Sequence, residues 1–85
     1  MAEIYNAKGE KVADLSLSDR QADELDEGRD VVVMWHTPRQ LHGLYPLESG
    51  HFTLRKDGER TVVIDAPDAV SRVALYQDAL KAKAN

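Results

Sequence analysis

Val31-Val32-Val33-Met34-Trp35 is the only run of five consecutive large apolar residues in the chain. A strand with one wet face alternates apolar and polar residues, and this run does not. It therefore reads as a buried strand covered on both faces, with the remaining elements laid beside it or over it.

Just upstream, Ser18-Asp19-Arg20-Gln21 has the spacing of a capping box. The Ser18 hydroxyl can accept from the Gln21 N–H while the Gln21 side chain reaches back to the Ser18 N–H. Leu17 and Ala22 stand at the hydrophobic-staple positions, and Gly28 suits the residue that ends a helix. A helix over 19–27 follows, short and acidic, with Ala22 and Leu25 facing inward. Further upstream, Glu3 to Leu17 reads as a β-hairpin turning at Asn6-Ala7-Lys8-Gly9, a type I turn whose Gly takes positive φ. Its weak apolar content places it at an edge of the sheet.

Downstream, Thr37-Pro38-Arg39-Gln40 reads as a turn, 41–45 as a strand weakened by Gly43, and Leu47-Glu48-Ser49-Gly50 as a second turn. Strands over 51–55 and 61–65 flank a turn at Arg55-Lys56-Asp57-Gly58. A two-residue Asp57-Gly58 loop would oppose Arg55 with Arg60. A three-residue loop with a bulge at Gly58 pairs Phe52 with Val62 and Thr53 with Thr61, which is the preferred register. Asp65-Ala66-Pro67-Asp68 opens a last helix reaching about Lys83, with Ala66, Ala69, Val70, Val73, Tyr76 and Leu80 as its core stripe. The expected fold is thus a single α+β domain over 1–85, in the order ββαββββα. Its sheet is expected to be mostly antiparallel, with the short acidic helix and the longer C-terminal helix packed on it.

Folded as a meander, this pattern sorts side chains by parity. Val32, Met34, Leu41, Tyr45, Phe52, Leu54, Val62 and Ile64 fall on the expected core face. Val31, Val33, Trp35, His42, Leu44, His51, Thr53, Arg55 and Thr61 fall on the other. That second face, with Trp35, His42, His51, Arg55 and the turn residue Arg39, is the candidate binding surface. An indole offers a π surface and one donor, and a guanidinium offers a planar fork for carboxylate or phosphate. The plainer alternative is that the short helix and first hairpin cover Trp35 and Leu44, leaving the histidines at the rim.

The 85 residues carry a net charge of −4, unevenly spread. Residues 1–30 hold nine acids against four bases, residues 31–60 come to +1 with all three histidines, and residues 61–85 balance. This distribution argues against a general nucleic-acid binder. With 42% hydrophobic and 31% charged residues the chain suits a soluble domain, and no stretch has the length of a membrane span. No basic-then-apolar leader precedes the hairpin, so the expected location is cytoplasmic. No cysteine is present, which excludes disulfides and thiolate chemistry. His36, His42 and His51 match no compact zinc motif, and neither a metal nor a cofactor is expected. No nucleophile elbow, phosphate loop or dinucleotide fingerprint occurs, which points away from an enzyme.

Asp19, Asp23 and Asp26 recur at helical steps and form a candidate partner-facing row, with plain solubility as the alternative. Leu75, with Ala79 and Ala82 beside it, lies opposite the core stripe of the last helix. It is a candidate seam for a homodimer. The expected role is a small non-catalytic accessory or regulatory protein acting through a protein partner. The rival is a nucleic-acid-binding module using the Trp35, His42 and Arg55 face.

Overall fold

The apolar run does form a strand, but it lies at an edge of the sheet and only one of its faces is covered. In the computed structural model, which describes residues 1–84, the elements are β1 (Ala2–Tyr5), β2 (Lys11–Leu15), α1 (Asp19–Asp26), β3 (Val31–His36), a 3-10 turn (Arg39–Leu41), β4 (Ser49–Asp57), β5 (Arg60–Val63) and α2 (Pro67–Ala84). The strands make one five-stranded sheet in the order β2-β1-β5-β4-β3. The class is α+β as expected, but the sheet is mixed: β1 runs parallel to β5, and the other pairings are antiparallel. The parallel step brings the first hairpin against the last strand, so of the hairpin's two strands β1 is interior and β2 is an edge.

Local chemistry explains most of the elements. The Asn6 carboxamide oxygen accepts from the N–H groups of Lys8 and Glu10, at 2.9 and 3.0 Å, and Gly9 takes φ +84°. The Ser18 capping box is present in both directions, and Gly28, at φ +85°, follows the Glu27 cap. At the far end, Asp65 accepts from the Thr53 N–H at 2.6 Å and from the Thr53 hydroxyl at 3.1 Å. Its carboxylate takes the place of the next ladder step, ends the sheet there and releases the chain into α2. Ala66, expected in the core stripe, is instead exposed and left-handed at φ 41°, and Pro67 takes the first helical position.

Three expectations between β3 and β5 need correction. The strand over 41–45 is absent: the chain makes a 3-10 turn, the Leu44 and Tyr45 N–H groups donate to the Leu41 carbonyl, and Gly43 takes φ +90°. The turn over 47–50 is absent too, because Ser49 and Gly50 already belong to β4 and pair with His36 and Trp35. The last hairpin follows neither register weighed above. Strand β4 runs to Asp57, Asp57 pairs with Arg60, and the loop is Gly58-Glu59. Gly58 at φ +64° occupies its first central position, as a type II′ turn requires.

That register differs from the preferred one by an odd number of residues, so it reverses the faces of β5. Thr61 and Val63 are buried, while Val62 is half-buried and Ile64 exposed. In β3 the parity is reversed as well. Val31 pairs with Leu54 and Val33 with Phe52, so the odd residues of β3, Trp35 included, share the covered side with Phe52. The core unites Ile4, Leu15, Leu25, Val31, Phe52, Leu54, Val63 and Val70, and both helices contribute to it from one side. Each large side chain so buried stabilises the fold by about 1.5–3 kcal/mol.

Trp35 is half-buried at the end of this core. Its ring centroid lies 6.1 Å from that of Tyr76 on α2, and Tyr45 meets Tyr76 edge-on at 5.5 Å. Thr37 anchors the connection between β3 and β4. Its hydroxyl donates to the Pro46 carbonyl at 2.6 Å and accepts from the Glu48 N–H at 2.8 Å. Gly50 sits directly across from Trp35, and a Cβ there would lie 3.1 Å from the indole nitrogen. A Cβ this close requires the half-buried indole to shift by a few tenths of an ångström. Gly50→Val is therefore expected to cost about 1–3 kcal/mol through overpacking, measured as a lower urea midpoint; an unchanged midpoint would show that the ring yields freely.

Candidate functional site

Among the described residues nothing covers the side of the sheet away from the helices. Cross-strand pairing arranges it in rows. Val32 of β3 pairs with Thr53 of β4, whose carbonyl accepts from the Ile64 N–H at 3.0 Å. Met34 pairs with His51. Arg55 pairs with Val62, and Val62 with Tyr5. Met34 is 82% exposed, Val32 59% and Ile64 41%. These three residues, with half-buried Val62 and Tyr5, place a broken band of apolar side chains on β3, at the end of β5 and on β1, with His51, Thr53 and Arg55 of β4 between them.

Basic groups border the band. The Arg55 guanidinium donates twice to the Asp30 carboxylate, at 2.9 and 2.7 Å. These bonds hold the Asp30 carboxyl below its ordinary range and push Arg55 up. The Arg60 guanidinium lies over the Tyr5 ring, 4.5 Å from its centroid, and has no carboxylate partner among the described residues. Tyr5, Asn6, Arg55, Arg60, Val62 and Ile64 line a shallow groove of about 440 Å3 on this face. Beyond it, a Lys11 ammonium is raised above its usual range by its hydrogen bond to Asp14, with Glu3 adding to the effect. Arg72 is raised by the Tyr76 hydroxyl and the Glu48 carboxylate, a pairing that ties α2 to the loop before β4.

The five residues expected to form one binding surface are not brought together. His51 and Arg55 do lie on the open face. Trp35 lies on the opposite side, half-buried against Tyr76, and its indole N–H is buried with no partner among the described residues. His42 is exposed after the 3-10 turn and Arg39 is exposed within it, away from the strands that carry Arg55. His36, His42, Leu47, Glu48 and Ser49 line a separate depression of about 340 Å3. Among the described residues no group of three His, Asp or Glu is placed to hold a metal ion.

Asp19, Asp23 and Asp26 are all exposed on α1, and Asp26 is 3.5 Å from Lys56. Leu75 is 45% exposed on the outer side of α2, and Ala79 beside it is half-buried. Among the described residues no helix is long and apolar enough to cross a membrane. Comparisons with family models, with curated proteins and with solved structures find no match.

Sequence reasoning assigned Val32, Met34 and Ile64 to the core and left Tyr5 and Arg60 out of the site. A signal for the first error was present. An eight-residue and an eighteen-residue helix are too little to cover two faces of a five-stranded sheet, so one face had to stay open.

Asp30 gives a pH test of this surface. Its folded pKa lies below that of the unfolded chain, so the pair stabilises fully above about pH 4 and fades as pH falls through the folded value. Asp30→Asn should lower the urea midpoint slightly at pH 7, and the variant and wild type should converge in acid. Equal midpoints at pH 7 would show that the pair contributes nothing measurable, as many exposed pairs do.

Proposed function

We propose that this chain is a small non-catalytic protein that acts by binding a protein partner on the open face of its sheet. The observation that carries the reading is the apolar band of Val32, Met34, Val62 and Ile64, left uncovered while the other face holds both helices. Exposed apolar surface of this kind, rimmed by polar groups, is characteristic of interaction sites. A sheet face is normally covered by helices, which supply a matching apolar stripe. The rim chooses the charge of the occupant: Arg60 has no carboxylate partner among the described residues and His51 stands beside the band, while Arg55 is already held by Asp30. The partner is therefore an amphipathic helix with an apolar stripe and an acidic flank.

The perturbed titratable groups support binding over catalysis. Asp30, Arg55, Lys11 and Arg72 are each shifted by a surface pair or hydrogen bond that accounts for the shift. None is a buried acid or base poised in a cleft, the usual mark of a catalytic group. A nucleic-acid role through Trp35 loses its stacking platform, because the indole faces Tyr76.

Selection of a displayed library of helical peptides against the chain tests this. Enriched sequences should carry apolar residues at helical spacing with Asp or Glu on one flank. Met34→Glu should weaken the selected peptides at least ~tenfold, on the scale of a central interface residue, and Arg60→Glu should weaken them further. Binding that survives both changes, or enriched sequences without acids, would discard this surface. Salt-sensitive binding of an oligonucleotide with displacement of the peptide would transfer the face to the nucleic-acid reading.

A further inference from the structure

The outer edge of β3 has a second property, independent of the face. The Thr37 N–H donates to the Glu48 carbonyl at 2.8 Å, one step beyond the β3–β4 ladder. Hydrogen-bonded pairs alternate in an antiparallel ladder, so the odd residues of β3 spend their main-chain groups on β4. The β4–β5 side agrees: Thr53 bonds toward Ile64, which leaves Phe52 and Leu54 to bond toward Val33 and Val31. The N–H and C=O groups of Val32, Met34 and His36 therefore point out of the sheet. Among the described residues no hydrogen bond engages them.

Edge strands are ordinarily guarded against such pairing by charge, proline, bulges or a covering element. β2, the other edge, has these guards. It carries Lys11 and Asp14, its ladder is irregular at Ile4/Tyr5, and just past its end the Gln77 side chain on α2 brackets Ser16 through both N–H and C=O. β3 has none of them along Val31–Trp35, and its register with β4 is unbroken.

We infer that β3 is a homodimerisation edge, on which a second copy of this chain pairs antiparallel about a two-fold axis at Val33. The self-complementarity of the strand selects this register. Val33 meets its own copy, Val31 meets Trp35 of the partner on the covered side, and Val32 meets Met34 of the partner on the open side. Both members of each pair lie on the same side of the sheet, so the two cores and the two apolar bands become continuous across ten strands. The outward main-chain groups of Val32 and Met34 are satisfied by each other's copies. At the ends, Asp30 of one copy stands opposite His36 of the other. The acids that lead into β3, Asp26, Glu27 and Asp30, lie toward the Arg39 end of the neighbour's strand. A parallel pairing would instead set these acids beside their own copies. Guarding of β2 closes the assembly at two copies.

Self-pairing uses the strand edge, and its readout is the isolated chain, so it stands or falls apart from the helical-partner reading. Sedimentation of the full chain over a wide concentration range should show a monomer–dimer equilibrium. Amides of Val32, Met34 and His36 should gain hydrogen-exchange protection as the dimer forms, while those of Val31, Val33 and Trp35 are protected throughout. Val32→Lys with Met34→Lys changes two exposed side chains and places like charges opposite each other twice; the dimer should weaken at least ~tenfold. Val32→Glu with Met34→Lys should restore it, because each new acid faces a new lysine only in this register. A chain that stays monomeric at millimolar concentration overturns the inference. So does a dimer that is indifferent to the double lysine variant, or one that Leu75→Glu alone dissociates.

Discussion

The pairing of Val31 with Leu54 and of Val33 with Phe52 decides which side of the sheet is interior. Once these four side chains share a face, Trp35 must follow them inward, and Val32 and Met34 must stay outside. α1 and α2 then have one face to cover between them, and Leu25, Val70 and Val73 fill it. Everything proposed about binding descends from this parity. A slip of one residue between β3 and β4 would bury Met34 and expose Trp35, exchanging the two surfaces.

Much of the chain was legible beforehand because its signals are local. The Asn6–Gly9 turn, the Ser18 capping box, the Gly28 stop and the Pro67 start each depend on residues within a few positions, and each stands where expected. Most of the errors involve pairing between strands. Nothing in Ile4 or Tyr5 announces a parallel partner more than fifty residues away, and the sheet is consequently mixed. The long link between β3 and β4 reads in sequence as turn, strand and turn, with apolar Leu41 and Tyr45 at the ends of the strand. In fact Leu41 is buried from a 3-10 turn, and Thr37 and Tyr76 hold the link in place. Because side-chain direction has a period of two, those odd shifts reversed faces while leaving most element positions right. Of the residues expected to share one surface, His51 and Arg55 are on the open face, and the indole meant to accompany them is not.

Gly50, expected to end a turn, lies instead inside β4 opposite Trp35. A glycine inside a strand weakens it unless something approaches closely. Here the indole lies over Gly50, and a side chain at that position would meet the ring. The same contact helps explain why Trp35 can turn inward at the very end of an edge strand, where side chains are ordinarily wet. Tyr76 backs the ring from α2, and the Arg72–Glu48 pair fastens that helix to the neighbouring loop.

An uncovered apolar band and an unguarded edge are both hazards for a chain of 85 residues, since each invites unspecific association. The rest of the surface offsets them. The band is interrupted by Thr53, His51 and the Arg55–Asp30 pair, which limits its contiguous apolar area. A net charge of −4, concentrated ahead of β3, gives every copy a like-signed field that opposes random approach. Such a field still permits an oriented encounter that sets the acidic end against a basic one. Selectivity in this protein would then come less from the shape of the sheet than from charges at its margins: Asp30 and His36 at the ends of the edge, Arg60 and Arg55 beside the band. The main chain and the apolar rows supply affinity with little discrimination of their own, and the marginal charges set which orientation is admitted.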